Sequence, residues 1–533
     1  MAENLLIVGG GTMGSGIALV GARAGLHVTV VEPQAGVRER GVANLEREAQ
    51  RLGDPAAAER IAWAASVPTS SDAEIAIEAV TERFDVKRDV FLALAAALSP
   101  QAILATNTSS LSVGELADVV PNPDRVLGLH FFNPPIRMEL LEVVGAPQTG
   151  DDALERAFEF AQRIGKTAVL AADTPGFIVN RVARPYYLQA LRALERGIAS
   201  AQELDALARA AGFRMGPFEL MDLIGLDVNL ATTQSIYART QAPRFAPVEL
   251  QRQMVEQGLL GRKTGEGFYV YREGPPQRFD AAPSAGAAGQ IDDELVAVVG
   301  FGTRADEFCE LLEQHYSDVT RIENDEFLDE IPLDATIVVD VGDGSSDRGE
   351  IVAELDSLLG AEAVFFADAY ATDLEACARK LRHPQRVVGY GVLGALSAQS
   401  AVEIADTESV SDDALELAQE LFAAIGKGAV LVEDAPGLFL GRTLGSIVNE
   451  AMTVVAEDIA GADDVDTAMR LGANYPIGPI AWGREIGGAR LRRILQRLAG
   501  AEGEAFAPHR SLWMLDLAET ADEEAQQPEE APQ

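Results

Sequence analysis

Short apolar segments alternate with longer helix-like stretches over the first 180 residues. The apolar segments are NLLIVG, HVTVVE, EIAIEAV, AILATNTS, RVLGLHFF, MELLEVV and TAVLAAD. Their length and their aliphatic and β-branched side chains are typical of buried β-strands. The amphipathic sequence between the early segments is typical of helices. This alternation of strands and helices predicts a doubly wound, Rossmann-type α/β sheet domain over residues 1–180.

After residue 180 the apolar positions take on helical spacing. RPYYLQALRALERG, AQELDALARAAG and PFELMDLIGLDVNLATTQSIYART predict an all-α domain over residues 181–272. Residues 273–292 are rich in proline, alanine and glycine, which is typical of a linker. Residues 501–533 are acidic and end in EEAQQPEEAPQ, which predicts a disordered tail.

The sequence after the linker repeats the order of motifs found in the first half. ELVAVVGFGTRADE resembles the opening strand with its glycine turn, and EDAPGLFLGR resembles ADTPGFIVNR. The pairs that share one offset of 261 residues are Gly128 and Gly389, Glu142 and Glu403, and Asp173 and Asp434. One offset over separated segments indicates an internal duplication. It predicts a degenerate Rossmann-like domain over 293–433 and a second helical domain over 434–500.

Composition and charge narrow the function classes. The chain is 47% hydrophobic and 24% charged, and its net charge of −40 disfavours nucleic-acid binding. Residues 1–290 carry 34 acidic and 27 basic side chains, whereas residues 291–533 carry 49 and 16, so the two halves are under different constraints. The sequence shows no long apolar run and no signal-peptide pattern, which predicts a cytoplasmic protein without a membrane span. Cys309 and Cys377 have no second ligand at metal-site spacing, which predicts neither a disulfide nor a metal site.

A glycine-rich turn between the first strand and the first helix is a candidate binding site. Gly9, Gly11 and Gly14 form G-x-G-x-x-G, which permits a tight turn and close approach of backbone N–H groups to a pyrophosphate. Glu32 ends the second strand, where a carboxylate can accept hydrogen bonds from ribose hydroxyls and would repel a 2′-phosphate. NAD is therefore predicted rather than NADP; a structural turn with a surface glutamate is the alternative. The predicted NAD contacts of this region are Gly9, Gly11, Thr12, Met13, Gly14 and Glu32.

Three further segments carry a resemblance to a known family. ATNTSSL, LGLHFFNPP and TPGFIVNR follow the glycine turn in an order and spacing that resemble the L-3-hydroxyacyl-CoA dehydrogenases over the first 272 residues. The layout with a second, partial copy resembles bacterial members of the 3-hydroxybutyryl-CoA and 3-hydroxyadipyl-CoA type. The resemblance implies an NAD-dependent oxidoreductase of fatty-acid β-oxidation that converts an (S)-3-hydroxyacyl-CoA reversibly to the 3-oxoacyl-CoA.

His130, one of five histidines, ends the apolar segment RVLGLHFF. Oxidation of an alcohol needs a base, and near neutral pH histidine is the natural one. If the flanking segments pair antiparallel about Ile136, Glu142 faces His130 and can fix its tautomer. The resemblance implies these roles of base and partner, while a structural core histidine is the alternative. Glu139 should point to the opposite face of the strand and is expected to be a bystander.

The resemblance also implies contacts around this pair. Ser109, at the carboxyl end of AILAT, would bind the substrate near the nicotinamide, although a helix N-cap is its alternative role. Asn180 would donate to the thioester or keto oxygen. The further cofactor or substrate contacts that it implies are Glu82, Lys87, Asn107, Asn133 and Lys263. For Glu82 and Lys87, an exposed helix pair is the alternative.

Coenzyme A carries phosphates, so an acidic chain needs a local basic patch to bind it. Four arginines follow the second strand: Arg38, Arg40, Arg47 and Arg51. Of these, Arg51 is the candidate substrate contact. A solvated helix face is the alternative.

The second copy keeps the strand pattern without the candidate chemistry. At the 261 offset only Glu142 keeps its identity; the counterparts of His130, Asn133 and Asn180 are Gly391, Gly394 and Gly441. These strands therefore form without a histidine, which favours a chemical role for His130. The second half is predicted to be catalytically inactive. A scaffold role is expected, either as an intrachain pseudo-dimer of the helical domains or within a homodimer.

Two other functions fit parts of the sequence. The fold would also serve a sugar-acid dehydrogenase of the gulonate type, which absence of CoA dependence would favour. A non-catalytic NAD-binding regulatory protein would account for the inactive copy and the acidic tail. The complete set of His130, Glu142, Ser109 and Asn180 argues against the latter.

Overall fold

The computed structural model describes residues 4–516 except 273, 275, 280, 282–290, 324, 343–347 and 371. These residues form two compact units. The first contains residues 4–183, 238–240 and 454–474, and the second contains residues 184–237, 241–453 and 475–516. The predicted domains follow one another along the chain, whereas here residues 454–474 of the second copy belong with the first sheet.

The first unit is built on an eight-stranded sheet in the order β3-β2-β1-β4-β5-β6-β7-β8. Its strands are β1 (Asn4–Val8), β2 (His27–Val31), β3 (Ile61–Ala64), β4 (Ile75–Glu78), β5 (Ile103–Thr106), β6 (Val126–Phe131), β7 (Leu140–Gly145) and β8 (Thr167–Ala172). Neighbouring strands are parallel except for β6 and β7. β4, β5 and β6 are buried along their whole length, as expected of central strands in a sheet covered on both faces.

The helices of the first copy divide between the two units. Those of the first unit are α1 (Thr12–Arg23), α2 (Ala35–Arg51), α3 (Ala56–Glu59), α4 (Phe84–Ala97), α5 (Val113–Ala117), α6 (Asp151–Arg163) and α7 (Val179–Val182). They are followed by α8 (Arg184–Glu195), α9 (Ala201–Ala210), α10 (Pro217–Ile224), α11 (Leu226–Thr240) and α12 (Glu249–Glu256). Local sequence sets their starts: Ser200 and Glu203 form a capping box before α9, and Pro217 occupies the first turn of α10.

The second copy forms a seven-stranded sheet in the order β10-β9-β11-β12-β13-β14-β15. Its strands are β9 (Ile291–Val299), β10 (Tyr316–Ile322), β11 (Ile337–Asp340), β12 (Val364–Asp368), β13 (Val387–Gly391), β14 (Ala401–Asp406) and β15 (Gly428–Glu433). Its helices are α13 (Thr303–Leu312), α14 (Arg348–Leu358), α15 (Leu374–Ala378), α16 (Asp412–Ala424), α17 (Leu440–Ala456), α18 (Ala462–Ala473), α19 (Pro479–Ile486) and α20 (Gly488–Glu502). β14, β15 and α16 each begin 261 residues after β7, β8 and α6, which confirms the duplicated α/β and helical plan.

The two copies exchange helices. In the first unit, α18 of the second copy packs against β7 and β8, and the N–H of Ala172 donates to the carbonyl of Ile459 at 2.8 Å. In the second unit, α9 of the first copy packs against β14, and the N–H of Ser400 donates to the carbonyl of Ala210 at 3.2 Å. Each sheet is therefore covered in part by a helix from the other half of the sequence.

The helical domains also contact each other within the second unit. Gln189 of α8 accepts a hydrogen bond from Arg442 at 3.1 Å and donates one to Ser446 at 3.0 Å, both on α17. Arg244 pairs with Glu450 of the same helix at 2.6 Å. Contacts between the helical domains, which one of the two arrangements expected from the sequence requires, are therefore present within this unit.

Three features differ from the sequence prediction. β3 was missed, since IAWA is a short, partly exposed edge strand with a weak apolar signal. Residues 501–516 are ordered rather than disordered, because Phe506 and Leu512 are buried; residues 517–533 of the predicted tail lie outside the described residues. β9 begins at Ile291, inside the predicted linker, most of whose remaining residues lie outside the description.

Two classes of feature are absent from the part of the chain that the structure describes. None of its helices is long and apolar enough to cross a membrane. None of its His, Cys, Asp and Glu side chains form a group that could hold a metal ion. Cys309 is partly buried and Cys377 is buried.

Candidate active site

His130 and Glu142 face each other across two antiparallel strands. β6 and β7 pair His130 with Glu142 and Phe131 with Leu141. Nδ1 of His130 lies 2.5 Å from Oε2 of Glu142. Both residues are buried, at 4% and 0% exposure. The register about Ile136 predicted from the sequence is confirmed. Glu139 lies before β7 and is exposed, away from this pair.

The carboxylate of Glu142 is fixed from its other side by a backbone turn. Its Oε1 atom accepts hydrogen bonds from the N–H groups of Ile178 at 3.1 Å and Val179 at 2.9 Å. Phe177, just before these donors, has a left-handed backbone with φ of 47°, which is strained for a bulky residue. The turn directs two consecutive N–H groups at one carboxylate oxygen, so the strained residue serves to orient the partner of His130.

The hydrogen-bond partners of His130 decide which ring nitrogen can act as a base. A carboxylate only accepts, so Nδ1 carries the hydrogen that points at Glu142. Nε2 then presents its lone pair, and it lies 2.9 Å from Oγ of Ser109. The rings of Phe132 and Phe177 pack edge-on against the imidazole, with centroids 4.7 and 5.6 Å away. The imidazole can therefore take up a proton at Nε2 while Glu142 stabilises the resulting cation.

Ser109 lies in a loop that one carboxylate organises. Oε1 of Glu82 accepts hydrogen bonds from the N–H groups of Ser109 and Ser110, both at 3.1 Å, and from the hydroxyl of Thr108 at 2.5 Å. The helix that follows, α5, is capped by Ser112, so the alternative N-cap role of Ser109 is wrong. Glu82 thus holds the Ser109 loop beside His130.

A buried lysine holds Glu82 in turn. Nζ of Lys87 lies 3.1 Å from Oε2 of Glu82 and 2.8 Å from Oε1 of Glu78, and Lys87 is only 1% exposed. The alternative of an exposed helix pair is therefore wrong. Burial raises the pKa of Glu82, but the charge of Lys87 and hydrogen bonds from Thr108 and Ser110 outweigh it, so the net pKa lies below the ordinary value. Glu78 was not predicted from the sequence, although a charged residue at the end of an apolar central strand is a signal of a site.

The glycine turn meets the requirements of a dinucleotide site. A Cβ on Gly14 would lie 1.9 Å from the carbonyl oxygen of Gly9, and Gly9 itself has φ of 112°. Helix α1 begins at Thr12 without a side-chain cap, and nothing described lies within 4 Å of a Cβ built on Gly11. Gly11 and Thr12 line an open cavity, where a pyrophosphate can accept hydrogen bonds from the first N–H groups of the helix. These residues fit NAD.

Glu32 lies against the same turn. Its Oε2 accepts from the N–H of Gly10 at 3.0 Å, and its Oε1 accepts from the N–H of Gln34 at 2.9 Å. Each carboxylate oxygen keeps a second lone pair, so ribose hydroxyls can donate as well. Met13, the remaining predicted contact of the turn, packs against the core of the sheet.

The other predicted residues are placed in different ways. Asn107 accepts a hydrogen bond at 2.8 Å from the backbone N–H of Phe131, at the end of β6. Asn133 is exposed and precedes a cis peptide bond. Asn180 belongs to α7, directly after the donors that hold Glu142. Lys263 lies in the second unit, where its ammonium pairs with Asp227.

A cavity of about 740 Å³ opens beside the glycine turn, between α1, α2 and the loop of residues 134–137. Arg40, Arg51 and Arg137 line it, and Arg51 also pairs with Glu48 of the same helix. The hydrogen bond from Arg51 lowers the pKa of Glu48 below its ordinary value. Arg137 was not predicted, because it lies far along the chain from the other arginines. Part of the expected basic patch thus faces a cavity next to the candidate NAD site.

The corresponding position of the second copy is filled by a tyrosine. Tyr370 stands 261 residues after Ser109, and its hydroxyl donates to Oε2 of Glu403 at 2.6 Å. Gly391 and Gly441 replace the histidine and the asparagine. A Cβ on them would lie 2.6 and 2.8 Å from the tyrosine side chain. One buried tyrosine therefore occupies the space that those two side chains take in the first copy.

Glu403 keeps the backbone contacts of its counterpart. The N–H groups of Phe439 and Leu440 donate to its two oxygens at 2.8 and 3.0 Å. Burial raises the pKa of Glu403 to about 7, although hydrogen bonds from Tyr370 and from the backbone act in the opposite direction. The framework for a buried carboxylate is present in both copies, but only the first places a base against it.

In the second copy, arginine side chains lie at the end of the sheet that carries the glycine turn in the first copy. Arg304 takes the position of Met13, and its guanidinium donates to the carbonyl of Gly342 at 2.6 Å and lies 3.8 Å from Asp368. Arg490 pairs with the same aspartate at 2.7 Å. Burial lowers the pKa of Arg304 to about 10. The chain's own cations thus cover the carboxyl ends of β11 and β12.

Comparison with family models places the same motifs in one family. The model described as the NAD binding domain of 3-hydroxyacyl-CoA dehydrogenase matches residues 4–174 and 310–435. The model of the C-terminal domain of 3-hydroxyacyl-CoA dehydrogenase matches residues 176–271 and 437–528. Each model therefore matches twice, at positions that agree with the duplication.

Similar proteins cover both the whole chain and its first half. The chain is 35% identical over 513 residues to 3-hydroxyadipyl-CoA dehydrogenase of Escherichia coli, covering 94% of each. Its first half is 40% identical to 3-hydroxybutyryl-CoA dehydrogenase of Mycobacterium tuberculosis, covering 50% of this chain and 97% of that protein. The crystal structure of 3-hydroxybutyryl-CoA dehydrogenase from Escherichia coli superposes with a TM-score of 0.77 at 33% identity, covering 98% of this chain and 100% of that one.

Proposed function

The chain belongs to the 3-hydroxyacyl-CoA dehydrogenase family, and on that premise we propose that its first copy holds the active site, with His130 as the base. The protein is an oxidoreductase of the NAD-dependent reaction that links 3-hydroxyacyl-CoA and 3-oxoacyl-CoA. NAD, when bound, supplies the hydride acceptor. One observation carries the proposal: His130 lies between the Ser109 hydroxyl and the buried Glu142 carboxylate, at 2.9 and 2.5 Å.

Each of these side chains has a distinct task. Ser109 holds the substrate hydroxyl within reach of Nε2 of His130, which takes up its proton. Glu142 keeps the other ring nitrogen protonated and stabilises the imidazolium. In the reverse direction the imidazolium returns the proton to the oxygen of the 3-oxo group. Asn180 donates to the thioester carbonyl and thereby limits the positions that the substrate can take.

The remaining predicted residues bind the cofactor. The glycine turn of Gly9 to Gly14 binds the pyrophosphate and Glu32 the adenosine ribose. Asn107 and Asn133 remain proposed contacts of the cofactor or the substrate, and Lys263 remains a prediction from the family resemblance. Lys87 is buried, so its effect on the cofactor passes through Glu82.

Coenzyme A binds in the cavity beside the glycine turn. Arg51, Arg40 and Arg137 line that cavity and supply the cations for its phosphates. Arg51→Gln should therefore raise the KM for the CoA thioester by about tenfold with little change in the dissociation constant of NADH. An unchanged KM would place the phosphates elsewhere.

The base assignment is tested by His130→Ala. We expect NADH-linked reduction of acetoacetyl-CoA to fall about 10²- to 10⁴-fold, while NADH binding measured by fluorescence titration stays near that of the wild type. Turnover close to the wild-type value would overturn the assignment. NADH binding without turnover in the wild type would instead favour the regulatory alternative.

The substrates proposed are short-chain 3-hydroxyacyl-CoA thioesters, since the similar proteins are named for hydroxyadipyl and hydroxybutyryl groups. Steady-state kinetics over 3-oxoacyl-CoAs of increasing length, with 3-oxoadipyl-CoA as a dicarboxylic member, measure the preference. A sugar acid accepted without CoA would support the gulonate-type alternative. A cytoplasmic location is part of the proposal and accords with only two cysteines in 533 residues.

A further inference from the structure

The backbone segment that fixes Glu142 is in contact with the second copy of the chain. We define this segment, residues 172–181, as the Glu142-binding turn: it leaves β8, passes the strained Phe177 and ends in α7. It contributes the two N–H groups that hold Glu142, and it carries Asn180. Any displacement of this turn therefore moves the partner of His130 and a proposed substrate contact together.

The second copy contacts both ends of the Glu142-binding turn. At its start, the N–H of Ala172 donates to the carbonyl oxygen of Ile459 at 2.8 Å. At its end, Arg181 is buried and pairs with Glu457 at 2.8 Å. Both partners lie in the short connection between α17 and α18 of the second copy. The turn is thus attached to the second copy before and after the residues that matter for the reaction.

Between these attachments, Gly472 of α18 packs directly on the surroundings of the catalytic pair. A Cβ on Gly472 would lie 2.6 Å from Cδ2 of Leu140, 2.9 Å from Cγ2 of Val179 and 3.5 Å from the ring of Phe132. Leu140 precedes Glu142 by two residues on β7. The backbone N–H of Val179 donates a hydrogen bond to Glu142, and the ring of Phe132 packs against His130. One glycine of the second copy therefore touches supports of both catalytic side chains.

We propose that Glu457, Ile459 and Gly472 of the second copy are positioning residues for the active site of the first. The close approach at Gly472 leaves no room for a side chain, so the position of α18 sets the position of the Glu142-binding turn. Catalytic geometry is sensitive to such displacements, because a shift of about 1 Å can cost about 10²-fold in rate. This inference gives the inactive half a function in catalysis that does not require it to bind substrate or cofactor.

The test substitutes Gly472 in the full-length protein. Gly472→Ala removes a helix-destabilising residue, so it should not lower stability through helix propensity. We expect kcat for acetoacetyl-CoA to fall about threefold to tenfold for Gly472→Ala and by tenfold or more for Gly472→Val, while the dissociation constant of NADH changes less than about twofold. Arg470→Val, on the exposed face of the same helix, is the matched control and should leave both quantities unchanged.

A compensating change separates positioning from general damage. Val179→Ala removes one of the methyl groups that the new side chain would meet. The double variant Gly472→Ala with Val179→Ala should therefore recover part of the lost kcat, while the contact with Leu140 at 2.6 Å remains. Glu457→Gln should lower kcat about twofold to fivefold without affecting NADH binding, because only the attachment of Arg181 weakens.

Two outcomes would overturn the proposal. One is wild-type kcat in a folded Gly472→Val protein. The other is a parallel fall of kcat, NADH binding and melting temperature in Gly472→Ala that Val179→Ala does not reverse. Absence of acetoacetyl-CoA reduction in the wild type would count against the proposed function instead.

Discussion

Ser109 and Tyr370 stand at the same position of the two related sheets, and they show what separates a catalytic site from its framework. In both copies a buried glutamate accepts two backbone N–H bonds from a turn with a left-handed residue, Phe177 or Leu438. The first copy faces this carboxylate with an imidazole, whose charge can change during a reaction. The second faces it with a phenol that fills the pocket. The framework is therefore stable without the chemistry, and the chemistry depends on a few side chains.

The largest difference between the copies is expected when each glutamate is replaced. Glu142→Gln should lower kcat about 10²- to 10⁴-fold, because an amide can turn a donor towards Nδ1 of His130 and favour the wrong tautomer. Glu403→Gln should leave turnover at the wild-type level. Steady-state oxidation of NADH with acetoacetyl-CoA measures both. Equal losses in the two variants would mean that the second site takes part in the reaction.

Replacement of Ser109 and of its counterpart Tyr370 should give the next largest difference between the copies. Ser109→Ala should lower kcat about 10- to 100-fold, because the substrate oxygen loses its partner beside Nε2. Tyr370→Phe should leave kcat unchanged but lower the free energy of unfolding by about 1–3 kcal/mol, since Glu403 loses its hydroxyl donor inside the core. Kinetics and chemical denaturation of both variants test the comparison. Loss of turnover in Tyr370→Phe would contradict it.

Substitutions in the two glycine turns should have different effects on cofactor binding. Gly14→Ala places a methyl group 1.9 Å from the Gly9 carbonyl oxygen and should weaken NADH binding at least about tenfold. Ala305→Gly, which restores the third glycine of the second turn, should leave both the affinity and the number of NADH sites unchanged, because arginines cover that crevice. Isothermal titration counts the sites. A second NADH bound to Ala305→Gly would show that the arginines do not block the second crevice.

The smallest effect is a pH dependence confined to the second copy. The pKa of Glu403 is raised to about 7, so its contribution to stability is fully present below the ordinary value of 4.5 and is lost as pH rises through 7. The loss amounts to about 3 kcal/mol at most. Glu403→Gln removes this dependence, so the free energy of unfolding of the wild type relative to the variant should fall between pH 4.5 and 8. A difference that stays constant with pH would show that Glu403 remains charged.

Strand periodicity and motif spacing gave much of the candidate site in advance. The antiparallel register that pairs His130 with Glu142 follows from the chain reversal that NPP begins and from Ile136, which lies midway between them. The glycine requirement at Gly14 and the position of Glu32 directly after β2 also follow from local sequence. These features depend on residues close together in the chain, where backbone geometry restricts the possibilities.

The supports of the site could not be obtained in this way. Lys87 bridges Glu78 and Glu82, and although these residues are close in the chain, only the packing of α4 on β4 buries the lysine between them. The ordering of residues 501–516 depends on the burial of Phe506 and Leu512, although the local composition is typical of disorder. Distant contacts of this kind leave no periodic signal in the sequence.

By itself, the sequence determined two sheet-and-helix copies, one complete set of candidate catalytic side chains and the loss of that set in the second copy. Only the tertiary structure decided that Tyr370 fills the vacated site, that Arg137 joins Arg51 at one cavity, and that Gly472 packs against the supports of the catalytic pair. The physical reason is that strand pairing and turns are fixed by neighbours in the chain. Side-chain volume, by contrast, is shared between residues that meet only when helices of one copy pack on the sheet of the other.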